Sequence, residues 1–249
     1  MFQKNSILFF LLFFCSVGAQ NTVQKDSIAK SNLKFNYKQL IIPSILIGYG
    51  IVGFDNPELL GFNEQVKTEV NEHIDEKVSL DDFTQHVPAV SVYVINNLGI
   101  DGKNNLKDRS IILGTSYLLM ATTVTGLKHI THVERPDGGQ NSFPSGHTAT
   151  AFAGAEFLFQ EYKDVSIWYG ISGYLVATGT GIFRMLNDRH WLTDVAAGAG
   201  IGILSTKVAY WIFPYTNKLF TKNNKNSKSV GILPFYNGNQ TGLGVLLKF

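Results

Sequence analysis

From Gln39 to Phe213 the chain runs through apolar segments that carry almost no charge, and this patterning restricts it to packed helices. Gln39–Phe54, Val87–Ile100, Ser110–Leu127 and Val165–Phe183 contain no Asp, Glu, Lys or Arg. Leu192–Phe213 is broken only by Asp194 and Lys207, and Thr148–Phe159 only by Glu156. Phe62–Val78 is mixed, with Val66, Val70, His73 and Ile74 at helical spacing, and reads as an amphipathic helix. Alternation of strands and helices is absent, so the expected fold is all-α, a bundle of roughly six long helices. The small residues of Ala196–Gly202 let two helices approach closely, in a membrane or out of one. Charged residues are only 16% of the chain, against about 25% in an average soluble domain. The charge-free spans run from 14 to 19 residues, at or below the lower limit for crossing a bilayer. Length alone leaves short membrane helices and buried soluble helices both open.

The ends of the chain differ from this middle. Lys4, the apolar run Ile7–Phe14 and the small residues Val17 and Ala19 read as an export signal over residues 1–19. Cys15, the only cysteine, falls inside it, so cleavage after Ala19 leaves a mature chain without disulfides or thiolate chemistry. Residues 20–38 form a polar lead-in, and the helical domain is expected over residues 39–217. A basic, Asn-rich linker follows over residues 218–229. In residues 230–249 two apolar runs, Val230–Tyr236 and Gly242–Phe249, flank Asn237-Gly238-Asn239 and predict a β-hairpin.

Three clusters carry the chemistry: Lys128 with Arg135-Pro136, Pro144-Ser145-Gly146-His147, and Arg184 with His190 and Asp194. Ser145 is a candidate helix N-cap, which puts His147 in the first turn. A helix start offers unpaired N–H groups to a phosphate oxygen, Gly146 lets the backbone come close, and His147 can protonate a leaving alkoxide. His190 and Asp194 are four apart and share a helix face. Asp194 can then hold the imidazole by Nδ1 and leave Nε2 as a nucleophile toward phosphorus. Lys128, Arg135 and Arg184 supply positive charge for the equatorial oxygens of a phosphoryl transition state. Taken singly, each cluster has an ordinary structural explanation, and their joint occurrence in order carries the reading. His129, His132, Glu134, Asn187, Asp188 and Arg189 lie beside these motifs, where they could tune pKa values or contact a head group, and solvated loop residues are the simpler reading of each. No Cys/His metal spacing and no Gly-rich nucleotide loop is present.

These clusters resemble the signature of the type 2 phosphatidic acid phosphatase superfamily, which includes lipid phosphatases, bacterial class A acid phosphatases and vanadium haloperoxidases. Lys128, Arg135 and Pro136 match its first part, Pro144 to His147 its second, and Arg184, His190 and Asp194 its third. The matched core spans residues 110–213. Phe183 departs from the pattern, since it stands where a small hydroxyl residue precedes the arginine. The resemblance implies a six-helix core, His190 as nucleophile, His147 as general acid, and no metal or other cofactor. The short gap from Pro136 to Pro144 is more like the lipid phosphatases than the haloperoxidases.

The function expected is metal-independent hydrolysis of a phosphate monoester or diphosphate through a phosphohistidine, with a phosphorylated lipid as substrate and a membrane as setting. A soluble periplasmic acid phosphatase acting on small esters is the alternative, and a non-catalytic envelope scaffold is the alternative from another class. A net charge of +2 without a long basic block argues against nucleic acid. The export signal puts the protein in the cell envelope. Three crossings before Lys128, by Gln39–Phe54, Val87–Ile100 and Ser110–Leu127, would face the site to the cytoplasm. An envelope-facing site therefore requires that one segment not cross, or that the bundle not span. Head-group choice is assigned to loops such as residues 55–82.

Overall fold

The computed structural model describes residues 35–53, 56–71, 80–220, 229–236 and 241–248. The export-signal reading with Cys15, residues 20–34 of the lead-in, His73, Ile74, most of the basic linker and the turn at Asn237-Gly238-Asn239 lie outside the described residues.

A 3-10 turn, Tyr37–Leu40, leads into α1 (Ile41–Val52). There follow α2 (Pro57–Asn71), α3 (Asp81–Thr84), α4 (Val87–Asn97), α5 (Leu106–Thr131), α6 (Gly146–Tyr162), α7 (Ile167–Leu186) and α8 (Leu192–Phe220). Two strands, β1 (Ser229–Tyr236) and β2 (Thr241–Lys248), pair antiparallel with Ser229 opposite Lys248 and Tyr236 opposite Thr241. The described residues are mostly helical, with eight α-helices where the sequence reading counts roughly six long ones. The one helix without a counterpart among the segments read from sequence is α3, a single turn of 4 residues, and α1 and α4 are short, with 12 and 11.

Side-chain caps set where the long helices begin. Asn105 accepts the Asp108 N–H at 2.9 Å, Ser145 that of Thr148 at 3.4 Å and Ser166 that of Trp168 at 3.4 Å. Asn105 therefore starts α5 early enough to include Lys107, Asp108 and Arg109, which sequence reading left outside the apolar span. The helix stops at His132, whose backbone is left-handed at φ 49°.

Two helices, α6 and α8, form the centre. The first also packs on α4, α5 and α7, and the second on α1 and α5. Their seam is made of small residues. A Cβ on Gly198 would lie 2.5 Å from the Ser145 carbonyl oxygen, and one on Gly202 would lie 2.3 Å from that of Ala149. Gly200, between them, turns to α1, where a Cβ would meet the Pro43 carbonyl oxygen at 2.7 Å. Larger side chains gather beyond the seam, in a core of Val92, Ile112, Phe157, Tyr162, Tyr210 and Phe213.

Polarity is distributed as in a membrane protein. Glu156, fully buried, accepts from Lys207 Nζ and Gln160 Nε2 at 2.6 Å each and from the Tyr174 hydroxyl. Buried Glu161 accepts from Asn104 Nδ2 and the Tyr210 hydroxyl, also at 2.6 Å. Meanwhile Ile41, Ile42 and Ile45 on α1 and Ile167, Trp168 and Leu175 on α7 are exposed. In water such surfaces would be a liability, whereas in lipid they cost nothing. Among the described residues, α5 and α8 are each long and apolar enough to cross a membrane, and α1 with α2 passes the same test as one bent pair.

The seam yields a test. Gly202→Val inserts a side chain where a single carbon already meets backbone, so α6 and α8 must part. A loss of about 1–3 kcal/mol is expected, read as a lower thermal unfolding midpoint in detergent. Gly48→Ala on α1, which has nothing within 4 Å of the new carbon, does not lower the midpoint and raises it slightly through helix propensity.

Candidate active site

The starts of α6 and α8 lie side by side. The Ser145 N–H donates to the Asp194 carbonyl at 3.0 Å, tying the cap of one helix to the first turn of the other. Ser145 is fully buried, and its hydroxyl accepts the Thr148 N–H and meets Thr148 Oγ1 at 2.9 Å. That hydroxyl is committed to the cap. What this segment presents is the helix start itself, where the N–H groups of Gly146 and His147 have no intrahelical acceptor. Gly146 packs against Val124, 3.8 Å from where its Cβ would lie.

His190 sits in the turn between α7 and α8, not on a shared helix face with Asp194. Both are buried, at 3% and 1% exposure. Asp194 Oδ2 accepts the Trp191 N–H at 2.9 Å, which fixes the carboxylate at the positive end of α8. The same oxygen accepts the Ser142 hydroxyl. His190 Nδ1 is 3.6 Å from Asp194 Oδ2, longer than a hydrogen bond, and 3.4 Å from Ser142 Oγ. Ser142 therefore stands between them: its O–H donates to the carboxylate and its lone pair faces Nδ1. This arrangement favours the proton on Nδ1 and leaves Nε2 with its lone pair.

Two cations, Lys128 and Arg184, act on His190, and a third, Arg135, acts on Lys128. Lys128, in the last turn of α5, donates from Nζ to the carbonyls of Asn141 at 2.6 Å and Ser142 at 3.3 Å. It lies within electrostatic reach of Arg135, Arg184 and Asp194. Arg184 ends α7, and one guanidinium nitrogen donates to buried Asp81 while Nε has no partner among the described residues. Arg135 Nε is likewise buried without a partner there. A buried N–H without an acceptor costs about 1–3 kcal/mol, so both groups are notable. Burial pushes the His190 imidazole down to about 4, Lys128 and Arg184 push the same way, and Asp194 opposes them.

His147 lies in the first turn of α6, and its Nε2 is 2.8 Å from Asp82 Oδ1. Burial and then Arg184 lower its pKa, against the pull of Asp82 and Asp81. The donor atoms of Asp81, Asp82 and His147 all fall within 4.8 Å of one another, a spacing that would suit a metal ion. Arg184 already supplies the positive charge facing Asp81, so the group is an ion-pair cluster.

Of the eight residues singled out from sequence, Ser145, Gly146, His147 and Asp194 lie at these two helix starts and His190 just before the second, while Lys128 and Arg184 act on His190 and Arg135 acts on Lys128. Three partners were missed: Ser142, Asp81 and Asp82. Asn187, expected in solvent, is 8% exposed and donates from Nδ2 to Asp81 Oδ1 at 3.3 Å. Arg189 pairs with Asp137 at 3.2 Å. Beside Asp194 opens a cavity of about 350 Å³, lined by Leu60, Asn63, Thr131, Trp191 and Thr193 among others. Asn63 donates to Thr193 Oγ1 at 3.0 Å, and its buried Oδ1 has no partner among the described residues.

The PAP2 superfamily model matches residues 109–218, from α5 through α8. That segment is a PAP2 superfamily domain. The chain is 41% identical over 137 residues to the lipid A 1-phosphatase of Porphyromonas gingivalis, covering 53% of this chain and 30% of that protein. It is 36% identical over 74 residues to the bacitracin transport permease protein BcrC of Bacillus licheniformis, covering 30% of this chain and 34% of that one. The match thus spans about a third of either curated relative. Among solved structures, the transmembrane PAP2 type phosphatidylglycerolphosphate phosphatase of Bacillus subtilis aligns with a TM-score of 0.53 at 17% identity, over 76% of this chain and 100% of that one. That likeness bears on the fold: the PAP2 helices fit the same arrangement.

The histidine environment can be checked without turnover. In an imidazole NMR titration, His190 is expected to protonate near pH 4. Asp194→Asn removes the one charge that favours the imidazolium and moves the midpoint lower still. A midpoint near the ordinary histidine value of about 6.5 would contradict the buried, cation-flanked ring.

Proposed function

We propose that the protein is a metal-independent phosphatase that hydrolyses a lipid-borne phosphate monoester or diphosphate through a phosphohistidine on His190. One observation carries this reading: Lys128 and Arg184 face a histidine whose Nδ1 is engaged and whose Nε2 is left for attack, with Arg135 beside Lys128. The Nε2 lone pair forms the N–P bond as the P–O bond to the leaving group breaks. The departing electron pair stays on the leaving oxygen, which His147 protonates. The three cations and the α6 start take the charge on the equatorial oxygens, where the buried Nε–H groups of Arg135 and Arg184 gain acceptors. Water then attacks phosphorus, His147 accepts its proton, and the P–N bond breaks to return neutral His190 with inorganic phosphate.

The exposed apolar faces support a lipid substrate. The resemblance to a lipid A 1-phosphatase makes a phosphate on a lipid-linked sugar the first candidate, with the polar cavity at Asn63 able to take part of a head group. We further infer an exported protein with an envelope-facing site. At 11 residues, α4 is about 16 Å long, roughly half the hydrocarbon thickness. Omitting it leaves two crossings ahead of Lys128, the α1–α2 pair and α5, and two crossings return the site to the envelope side.

The test is phosphate release by purified wild-type and His190→Ala protein in EDTA. The panel holds lipid A, phosphatidylglycerol phosphate, undecaprenyl diphosphate, phosphatidic acid and a soluble aryl phosphate. Release from a lipid is expected, reduced about a thousandfold or more in the variant. Undiminished release by His190→Ala would refute the mechanism, and release from the aryl ester alone would refute the lipid assignment.

A further inference from the structure

Asp81 and Asp82 open α3, outside the segment that matches the PAP2 model. They are consecutive, yet they reach two different working parts of the site. Asp81, 1% exposed, accepts from Arg184 and from Asn187 Nδ2. Asp82, on the open side, accepts from His147 Nε2 at 2.8 Å. The turn that carries them is fixed to α7 one helical turn before Arg184, by Thr84 Oγ1 against Thr180 Oγ1 at 2.9 Å.

We propose that this pair of carboxylates positions the substrate-facing groups of the phosphatase described above: Asp81 aims the Arg184 guanidinium, and Asp82 aims the His147 ring. An arginine has five N–H donors in a rigid fork. With one nitrogen held by Asp81 on the protein side, the unpartnered Nε edge is the one left for a phosphate oxygen. An imidazole has two nitrogens. With Nε2 held by Asp82, Nδ1 is the one left to pass a proton to the leaving oxygen. Asp82 also stabilises the imidazolium, the form that can act as an acid. The charged groups facing this ring are Arg184 from α7 and Asp81 and Asp82 from α3. Arg184 disfavours the imidazolium and the two carboxylates favour it. One short turn thereby sets both the phosphate grip and the proton donor.

The inference rests on the phosphatase reading, and its test keeps the two separable. Kinetics against pH are measured for wild type, Asp82→Asn, Asp82→Glu and Asp81→Asn, alongside an imidazole NMR titration of His147. Loss of the Asp82 charge leaves Arg184 less opposed, so the His147 titration moves to lower pH. The alkaline limb of kcat moves with it, and kcat at neutral pH falls roughly tenfold with little change in KM. Asp82→Glu restores the limb. Asp81→Asn acts on binding instead: KM and the inhibition constant for vanadate rise roughly tenfold while the pH limbs stay in place. A generally weakened fold would lower kcat without moving the limb or the titration. Should Asp81→Asn fail to fold, the Asp82 variants decide, because the Asp82 side chain is 57% exposed. An unmoved His147 titration, or a rise in activity on removing either carboxylate, would overturn the proposal. If wild type released no phosphate from any substrate, the phosphatase reading would fall, and the His147 titration would still decide the role of Asp82.

Discussion

The backbone contact between α6 and α8 is the constraint on which the site depends. Each helix begins with a residue of the candidate chemistry, and the Ser145 N–H bound to the Asp194 carbonyl joins the two beginnings. Gly198 and Gly202 allow the axes to come this close. Glycine costs about 1 kcal/mol of helix propensity relative to alanine, and that cost is offset by contact along the seam. Both helix dipoles then point their positive ends toward one place, where Lys128, Arg135 and Arg184 add full charges. Concentrated positive charge destabilises a protein unless anions balance it. Asp194, Asp81 and Asp82 supply that balance from within.

The interior follows the same economy. Buried charges occur as linked sets, Glu156 with Lys207 and Gln160, and Glu161 with Asn104 and Tyr210. Each joins different helices, so loss of one partner leaves a charge or a strong donor stranded, which is far costlier than never having buried the set. In a lipid setting, where apolar burial gives little preference for one helix arrangement over another, such sets provide register.

Much of this was legible in the sequence. The charge-free segments announce helices, Ser145 announces a cap, and the three clusters announce a phosphate site, because each depends on local patterning or on residue types with few other uses. Boundaries were less legible. Asn105 starts α5 ahead of the apolar span, and the cap outweighs hydropathy there. The relay through Ser142 was hidden because serine is common in turns, and because His190 leaves the helix that a spacing of four implies. Asp81 and Asp82 end a stretch that the sequence gives no reason to treat as anything but loop. Only tertiary contact, more than a hundred residues along the chain to Arg184, reveals what they hold. Asn187 looked solvated for the same reason.

A seam built of backbone has no rotamers to exchange. Substitution cannot reshape it by degrees, since the first added carbon already collides. The α6–α8 half of the site is therefore a poor substrate for gradual adaptation. Any drift in which head group is accepted has to be carried by side chains that arrive from other elements. Asn63 arrives in that way, from α2, at the cavity beside Asp194. The molecule thus pairs a rigid seam with an approach built from side chains, and room for change lies in the second.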